Sequence, residues 1–346
     1  MKVATSLLAG RRPEPELARA AVQAALTEAG LSRAEQVILL LSREFDRHAQ
    51  PAVLAAARAA GCLSVSGCTV SGLMTERGWH LDQPAAAAMV LATTEKPIPA
   101  SSPILSFSSH GHLPFDWQTG AARAGLIDTE ATVWSHGRIA EDGCAEFSLP
   151  GVKAHVVKAS GLRPLGQALP VDQSEGYELL RIGGQRAVDS LLRALPGELR
   201  EAMPVHQICA LRRPDTPGIA ILAINADGSL TLSETIKAGE SISWAIRQPL
   251  AAEQEIRQAL QAARTDFPTA AVNPKKRPNF ALMFSCIGRG PLFYGDDDRD
   301  LLAFREHFPD TPLLGAYGTG QIVPLADGNR LFQNTALTLL FESIHV

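Results

Sequence analysis

The residues best equipped for chemistry lie near the end of the chain. Phe284-Ser285-Cys286-Ile287-Gly288-Arg289-Gly290 ends an apolar run in a cation set between glycines. A guanidinium is planar and always charged, and its fork fits a carboxylate or phosphate through two parallel hydrogen bonds. Glycines on both sides leave little to crowd it. One helix further on, Gly315-Ala316-Tyr317-Gly318-Thr319-Gly320-Gln321 presents Tyr317, Thr319 and Gln321 at alternate positions. In an extended chain these three share a face. Two hydroxyls and an amide donate and accept hydrogen bonds but include no strong acid or base. That is the inventory of a recognition surface. Arg289 is therefore expected to anchor an anion, with Tyr317, Thr319, Gln321, Ser285 and Cys286 around it.

Other chemistry is weaker. Cys286 and Cys68 end apolar stretches, and a thiol beside an arginine can act as a nucleophile. No histidine can be placed beside either, and free cysteine is among the most buried residue types. Both are expected to be structural and poorly reactive. His110-Gly111-His112 with His136 lacks a recognised metal-ligand spacing, so no metal is expected. Asp296-Asp297-Asp298 precedes a helical pattern and suits its positive end. There is no Gly-Lys-Ser/Thr phosphate loop, no Gly-x-Ser-x-Gly elbow and no full dinucleotide fingerprint, and no cofactor is expected.

A chain of 346 residues suits two domains, and 46% hydrophobic with 20% charged residues supports buried cores. A net charge of −4 argues against nucleic acid as a partner. No apolar run reaches the ~20 residues of a membrane span, and the start reads as a first strand rather than a secretory signal. A cytoplasmic protein is expected. Five scattered cysteines, at 62, 68, 144, 209 and 286, do not form a disulfide framework.

The elements that must position these groups follow from periodicity. Helices are expected at 15–29, 51–60, 251–263 and 299–308, and strands at 37–42, 62–72, 85–94, 152–159, 219–225, 230–232, 280–286 and 335–341. A strand pair is expected around Glu141-Asp142-Gly143, a proline-bearing linker at 95–102 and a basic loop at 273–279. Strand 37–42, helix 51–60 and Gly67 to Gly72 run in the same order as strand 280–286, helix 299–308 and Gly315 to Gly320. This echo predicts two related α/β halves, with Gly67 matching Gly315 and Gly72 matching Gly320. It adds Cys68, Thr69 and Ser71 to the candidate ligand-binding residues.

The Cys286, Arg289, Gly290, Pro312-Leu313, Gly315 and Gly320-Gln321-Ile322 series resembles the C-terminal half of the FIST (F-box and intracellular signal transduction) family. Gly161-Leu162-Arg163-Pro164-Leu165-Gly166 is similar to a second family turn, with Leu162 in place of cysteine, and adds Arg163 to the candidates. Gln321 stands where the family usually has glutamate. The resemblance runs from about Val37 onward, is strongest after 155 and is poor over 95–150. It implies a FIST N-like domain at 1–150 and a FIST C-like domain at 151–346. It also implies a stand-alone sensory module that binds a small anionic ligand, amino acids being the suggested class, and reports to a signalling partner protein. The alternatives are a hydrolase or transferase with a cysteine nucleophile and Arg289 as anion holder, or a protein-binding adaptor. The expected fold is α/β (α+β), with mixed, largely antiparallel sheets and helices on their outer faces.

Overall fold

A computed structural model describes residues 1–93, 102–267 and 277–344. Most of the expected linker at 95–102 and the first part of the loop at 273–279 lie outside the described residues. The chain forms two compact units, Met1–Ser160 with Ile256–Val346, and Gly161–Glu255.

The first unit opens with β1 (Lys2–Ala9), α1 (Pro15–Ala29), β2 (Gln36–Ser42), α2 (Ala49–Ala60) and β3 (Val65–Val70). The hairpin β4 (Gly72–Thr75) and β5 (Gly78–Leu81) and the alanine-rich β6 (Ala85–Ala92) follow. Next come β7 (Ile104–Ser108), β8 (Arg123–Ile127), β9 (Val133–Ser135), β10 (Arg138–Ile139), β11 (Cys144–Phe147) and β12 (Val152–Ala159). The α1 stop is legible: Gly30 takes the left-handed conformation and its N–H closes onto Leu26 and Thr27.

The second unit holds β13 (Leu162–Pro164), β14 (Leu169–Glu175), β15 (Glu178–Ile182), β16 (Gln185–Arg186), α3 (Ala187–Ala194), β17 (Ile208–Leu211), β18 (Ile219–Ile224), β19 (Leu230–Leu232) and β20 (Ser241–Arg247). Because β20 pairs with both β14 and β17, the strands β20-β14-β15-β19-β18-β17 close on themselves. Ile182, Ile221, Leu230 and Trp244 share the enclosed core. The hairpin expected at Asp227-Gly228 is present as β18–β19.

The chain returns through α4 (Pro249–Asp266) to β21 (Phe280–Cys286), α5 (Pro291–Tyr294), α6 (Arg299–His307), β22 (Leu313–Gly318), β23 (Gly320–Leu325), β24 (Gly328–Phe332) and β25 (Ala336–Ser343). One sheet has the order β1-β6-β2-β3-β9-β10, another β12-β25-β21-β22-β4-β5. In the first, β2–β3 is parallel and the pairs β1–β6 and β2–β6 are antiparallel. In the second, β21–β22 is parallel and the pairs β12–β25 and β21–β25 are antiparallel. The two halves are thus built alike.

The glycine match holds at atomic detail. Leu39 lies opposite Gly67 and Met283 opposite Gly315. A Cβ at Gly67 would sit 1.7 Å from the Leu39 carbonyl oxygen, and one at Gly315 would sit 2.4 Å from that of Met283. Each half needs glycine where its parallel neighbour's backbone comes close.

The hairpins after these strands cross over. β4–β5 follows β3 but pairs with β22 of the other half. β23–β24 follows β22 but joins a third sheet, β11-β7-β8-β23-β24. Ile38, Leu40 and Met89 of the first sheet, Leu282, Phe284 and Leu339 of the second, and Phe107, Leu126 and Phe332 of the third share one core. On the outer faces, Ala21 and Leu26 of α1 and Val53 of α2 cover Leu39, while Ile256 and Leu260 of α4 and Leu301 and Phe304 of α6 cover Met283. Helix cover on one face and sheet contact on the other explain why β2 and β21 read as unbroken apolar runs.

The strand pair expected around Glu141-Asp142-Gly143 is different. The tight turn is at His136-Gly137, where both residues have positive φ, and β11 pairs with β7 instead.

Candidate functional site

Arg289 follows the end of β21, and its N–H donates to the Cys286 carbonyl at 2.8 Å. Its side chain is 1% exposed. Nε and Nη2 donate to Asp300 Oδ2 and Oδ1 at 2.7 and 3.0 Å, a buried bidentate pair. The Tyr294 hydroxyl donates to the same Oδ1 at 2.8 Å. Asp298 caps α6, accepting from the N–H groups of Asp300 and Leu301 at 2.8 and 3.0 Å, and the Tyr317 hydroxyl donates to it from β22. Burial and the neighbouring Asp300 push Asp298 up to about 6, against the pull of the Tyr317 and backbone hydrogen bonds. Burial and Asp298 push the Tyr317 hydroxyl well up. A Cβ at Gly290 would lie 2.6 Å from Tyr317 Cε1, so this glycine makes room for the tyrosine ring. The Gly-Arg-Gly turn, expected to present an uncrowded cation, instead turns its guanidinium onto a carboxylate of the next helix.

Tyr317, Thr319 and Gln321 do not share a face, because the chain changes sheets at Thr319. β22 ends at Gly318 in one sheet and β23 begins at Gly320 in another. Tyr317 packs under α6 with Leu301 and Phe304. Thr319 is partly exposed at the strand end, and Gln321 is fully buried.

The polar groups that do converge lie around residues 128–132, which follow the carboxyl end of β8. Asp128 accepts from the Ser71 N–H at 2.7 Å and the Ser71 hydroxyl at 2.9 Å. The Arg43 guanidinium pairs with the same carboxylate and donates to the Thr129 carbonyl at 2.9 Å. The Thr129 N–H donates to the Thr319 hydroxyl at 3.2 Å, and the two threonine hydroxyls lie 3.3 Å apart. Thr69 accepts from the Thr132 N–H at 2.8 Å and donates to Asp46. Ser71 and Thr319 occupy matching positions, each directly before the glycine that opens the crossed hairpin. One loop therefore gathers the carboxyl ends of the parallel strands of both halves, the usual place for ligands on α/β sheets.

Within this cluster Asp128 is 1% exposed while the Arg43 side chain is 38% exposed. Burial raises Asp128, and its bonds to Arg43 and Ser71 oppose that rise. Burial pulls Arg43 down, but Asp128 more than reverses it, with smaller help from Asp46 and Glu130. Arg43 is thus a fixed cation at a polar rim with carboxylates beside it. Arg43, Asp128 and Thr129 did not emerge from sequence. Asp128 and Thr129 directly follow the apolar run Ala124–Ile127, and the strand-end rule applied there is the signal that could have found them.

The remaining candidates are dispersed. Cys68 lies within β3, opposite Leu40, and burial, Asp128 and Asp46 push its thiol well up. Cys286 is buried, with Sγ 3.7 Å from Asn334 Oδ1 and 4.0 Å from the Thr319 carbonyl. Ser285 is buried, and its hydroxyl has no hydrogen-bond partner among the described residues. Arg163 is an exposed residue of the other compact unit. No group of three or more potential ligands that could hold a metal ion occurs among the described residues. A cavity of about 290 Å³ opens at the opposite end of β2 and β3, against Gln36, Ser64, Leu91 and His136. Its polar wall is partly committed: the Thr93 N–H donates to Glu35 at 2.8 Å and the Gln36 amide to the Ser148 carbonyl at 3.3 Å. The strand-end cluster is likewise hydrogen-bonded within itself, and differs in drawing its groups from both halves and in carrying a half-exposed cation.

Comparison with known proteins gives a match of residues 187–324 to the model described as the FIST C domain. An uncharacterized protein of Mycobacterium tuberculosis (strain H37Rv) is 27% identical over 212 residues, covering 58% of this chain and 54% of the relative. An uncharacterized protein of Mycobacterium bovis is 26% identical over 212 residues, covering 58% and 53%. Human F-box only protein 22 is 31% identical over 104 residues, covering 29% of this chain and 24% of that protein. The chain spans about half the length of the mycobacterial relatives it matches.

Proposed function

We propose that this chain, which carries a FIST C domain over residues 187–324, is a sensory protein that binds a small molecule at the strand-end cluster. The domain is one of signal transduction. The ligand class proposed is anionic or zwitterionic, an amino acid being the simplest case, and the output passes to a partner protein. Residues 1–150 and 151–346 are taken as the FIST N-like and FIST C-like parts, and the setting as cytoplasmic. No described helix is long and apolar enough to cross a membrane.

One observation carries the reading: residues 128–132 bring Ser71, Thr129 and Thr319 from both halves together beside the half-exposed Arg43. Hydroxyls and a guanidinium suit a carboxylate, and Asp46 and Glu130 nearby suit an ammonium group. A site built from both halves can also transmit occupancy, since a ligand that prefers one arrangement of the halves shifts the population toward it. A cysteine enzyme is a poorer fit, because the Cys68 thiol is pushed well up and a nucleophile needs its thiolate. Arg289, first expected to hold the anion, is paired with Asp300 and only 1% exposed, whereas Arg43, also paired with a carboxylate, keeps 38% of its side chain exposed.

Native mass spectrometry of freshly purified protein, followed by calorimetric titration of the recovered molecule, tests this reading. Arg43→Ala is expected to weaken binding roughly tenfold or more, as charge-assisted hydrogen bonds are worth ~1.5–3 kcal/mol. A retained ligand whose binding ignores Arg43→Ala and Thr319→Val would place the site elsewhere.

A further inference from the structure

The third sheet holds one polar side chain in an apolar row. Its register sets Ala145, Phe107, Leu126, Gln321 and Phe332 side by side. The other four belong to the core shared by the three sheets, and Gln321 itself is fully buried. Neither its Nε2 nor its Oε1 has a hydrogen-bond partner among the described residues. Exchanging the two amide atoms changes nothing, because both lack one. An unpaired amide in such surroundings is unfavourable, and folded proteins satisfy nearly all buried polar groups.

The repeat within the fold shows that packing does not require a glutamine. Gln321 follows Gly320 as Leu73 follows Gly72, in matching hairpins, and Leu73 lies in the same core. Leucine serves at this position in one half, and glutamine replaces it in the other.

We infer that Gln321 is a specificity-determining residue that recognises a neutral hydrogen-bonding group of the ligand, a carboxamide or lactam. An amide both donates and accepts, and its complement is a group that does the same. Phe107 and Leu126 beside it are apolar and disfavour an ionised partner, whose desolvation they cannot compensate, although the Lys158 ammonium lies 4.3 Å over the neighbouring Phe332 ring. Thr319 stands at the rim two residues before Gln321, at most about 6.6 Å along the chain, although the change of sheet at Thr319 turns their side chains to different faces. That distance is the span of a short side chain. A ligand whose charged end lies at Arg43 and Thr319 would reach Gln321 with its neutral end, once the rim opens to admit it. This inference rests on the strand-end reading, and its test separates the two.

The probes are L-glutamine, L-asparagine, L-glutamate and L-leucine, which share a charged end and differ at the other. Each is titrated calorimetrically into wild type, Gln321→Leu, Gln321→Met and Arg43→Ala. Wild type is expected to prefer glutamine or asparagine over leucine by about tenfold or more, the effect of two neutral hydrogen bonds. Gln321→Leu is expected to fold and to lose that preference, and Gln321→Met does the same if the leucine variant fails to fold. Arg43→Ala should weaken all probes alike and keep their order. Wild type without a carboxamide preference, or a preference that survives both Gln321 variants, overturns the inference. If Arg43→Ala still weakens binding in that case, the strand-end reading stands without it. If none of the four binds, or neither position matters, both are overturned.

Discussion

Removing the Arg289 side chain should destabilise the first compact unit rather than change ligand binding. Arg289 and Asp300 are 1% and 0% exposed, and both guanidinium bonds to Asp300 lie within the fold. Truncating one member of a buried pair leaves the other charge uncompensated, which costs about 3–5 kcal/mol. Tyr294 still donates to Asp300, which places Arg289→Ala toward the lower end. For a unit of this size 1 kcal/mol corresponds to ~2–4 °C, so the melting transition should fall by roughly 6–12 °C. Arg289→Lys keeps the charge but not the planar fork and should recover only part of the loss. Replacing both partners, as Arg289→Met with Asp300→Leu, should recover more than either single change does, because neither member of the pair is left as an uncompensated buried charge. Two compact units need not melt together, so the assay is calorimetric scanning with amide hydrogen exchange on β21 and β22, which reports the first unit alone. A change under about 1 kcal/mol at these strands on Arg289→Ala would refute the structural role and return Arg289 to the ligand-binding candidates.

Asp298 gives a pH prediction. Its folded pKa is raised to about 6 from an ordinary value near 3.8, so the folded state holds the proton more tightly than the unfolded chain. Its contribution is fully present below the unfolded value and is lost as pH rises through about 6. Stability of the first unit should therefore increase as pH falls from 7 to 5, and Asp298→Asn should flatten this part of the profile in denaturant titrations. Gly67→Ala and Gly315→Ala should each destabilise by more than about 2 kcal/mol, because the added Cβ meets a carbonyl oxygen at 1.7 or 2.4 Å; urea midpoints test this, and an unaffected variant would break the equivalence of the halves. Burial raises the thiols of Cys62 and Cys144 too, but these are only half-buried, so a thiol reagent at neutral pH should label them well before the enclosed Cys68 and Cys209, the latter pushed up to about 12; time-resolved mass spectrometry checks the order.

Much of the fold could be read from residue pattern. Helices α1 and α2 announce their ends by Gly30 and Gly61, and both glycines adopt the left-handed cap. Residues 37–41 of β2 and 280–284 of β21 are continuously apolar because helix and sheet cover both faces. The echo was legible because Gly67 and Gly315 meet one steric demand, the approach of a parallel neighbour's carbonyl. The site was less legible. Alternation along Tyr317, Thr319 and Gln321 assumes one continuous strand, and no local signal marks the change of sheet at Thr319. Glycines around Arg289 read as open space, whereas Gly290 is filled by the Tyr317 ring. The partners Arg43 and Asp128 are 85 residues apart, and only the folded chain brings them together.

The central claim is that a small ligand binds where residues 128–132 join the strand ends of the two halves. The most direct measurement is amide-resolved NMR of the full chain during titration with the panel of amino acids. Saturable shifts concentrated at residues 69–71, 128–132 and 319–321, and lost in Arg43→Ala, are the predicted result. Saturable shifts confined to other parts of the chain, such as the cavity lined by Gln36, Ser64 and Leu91, or no saturable shift with any member of the panel, would contradict it.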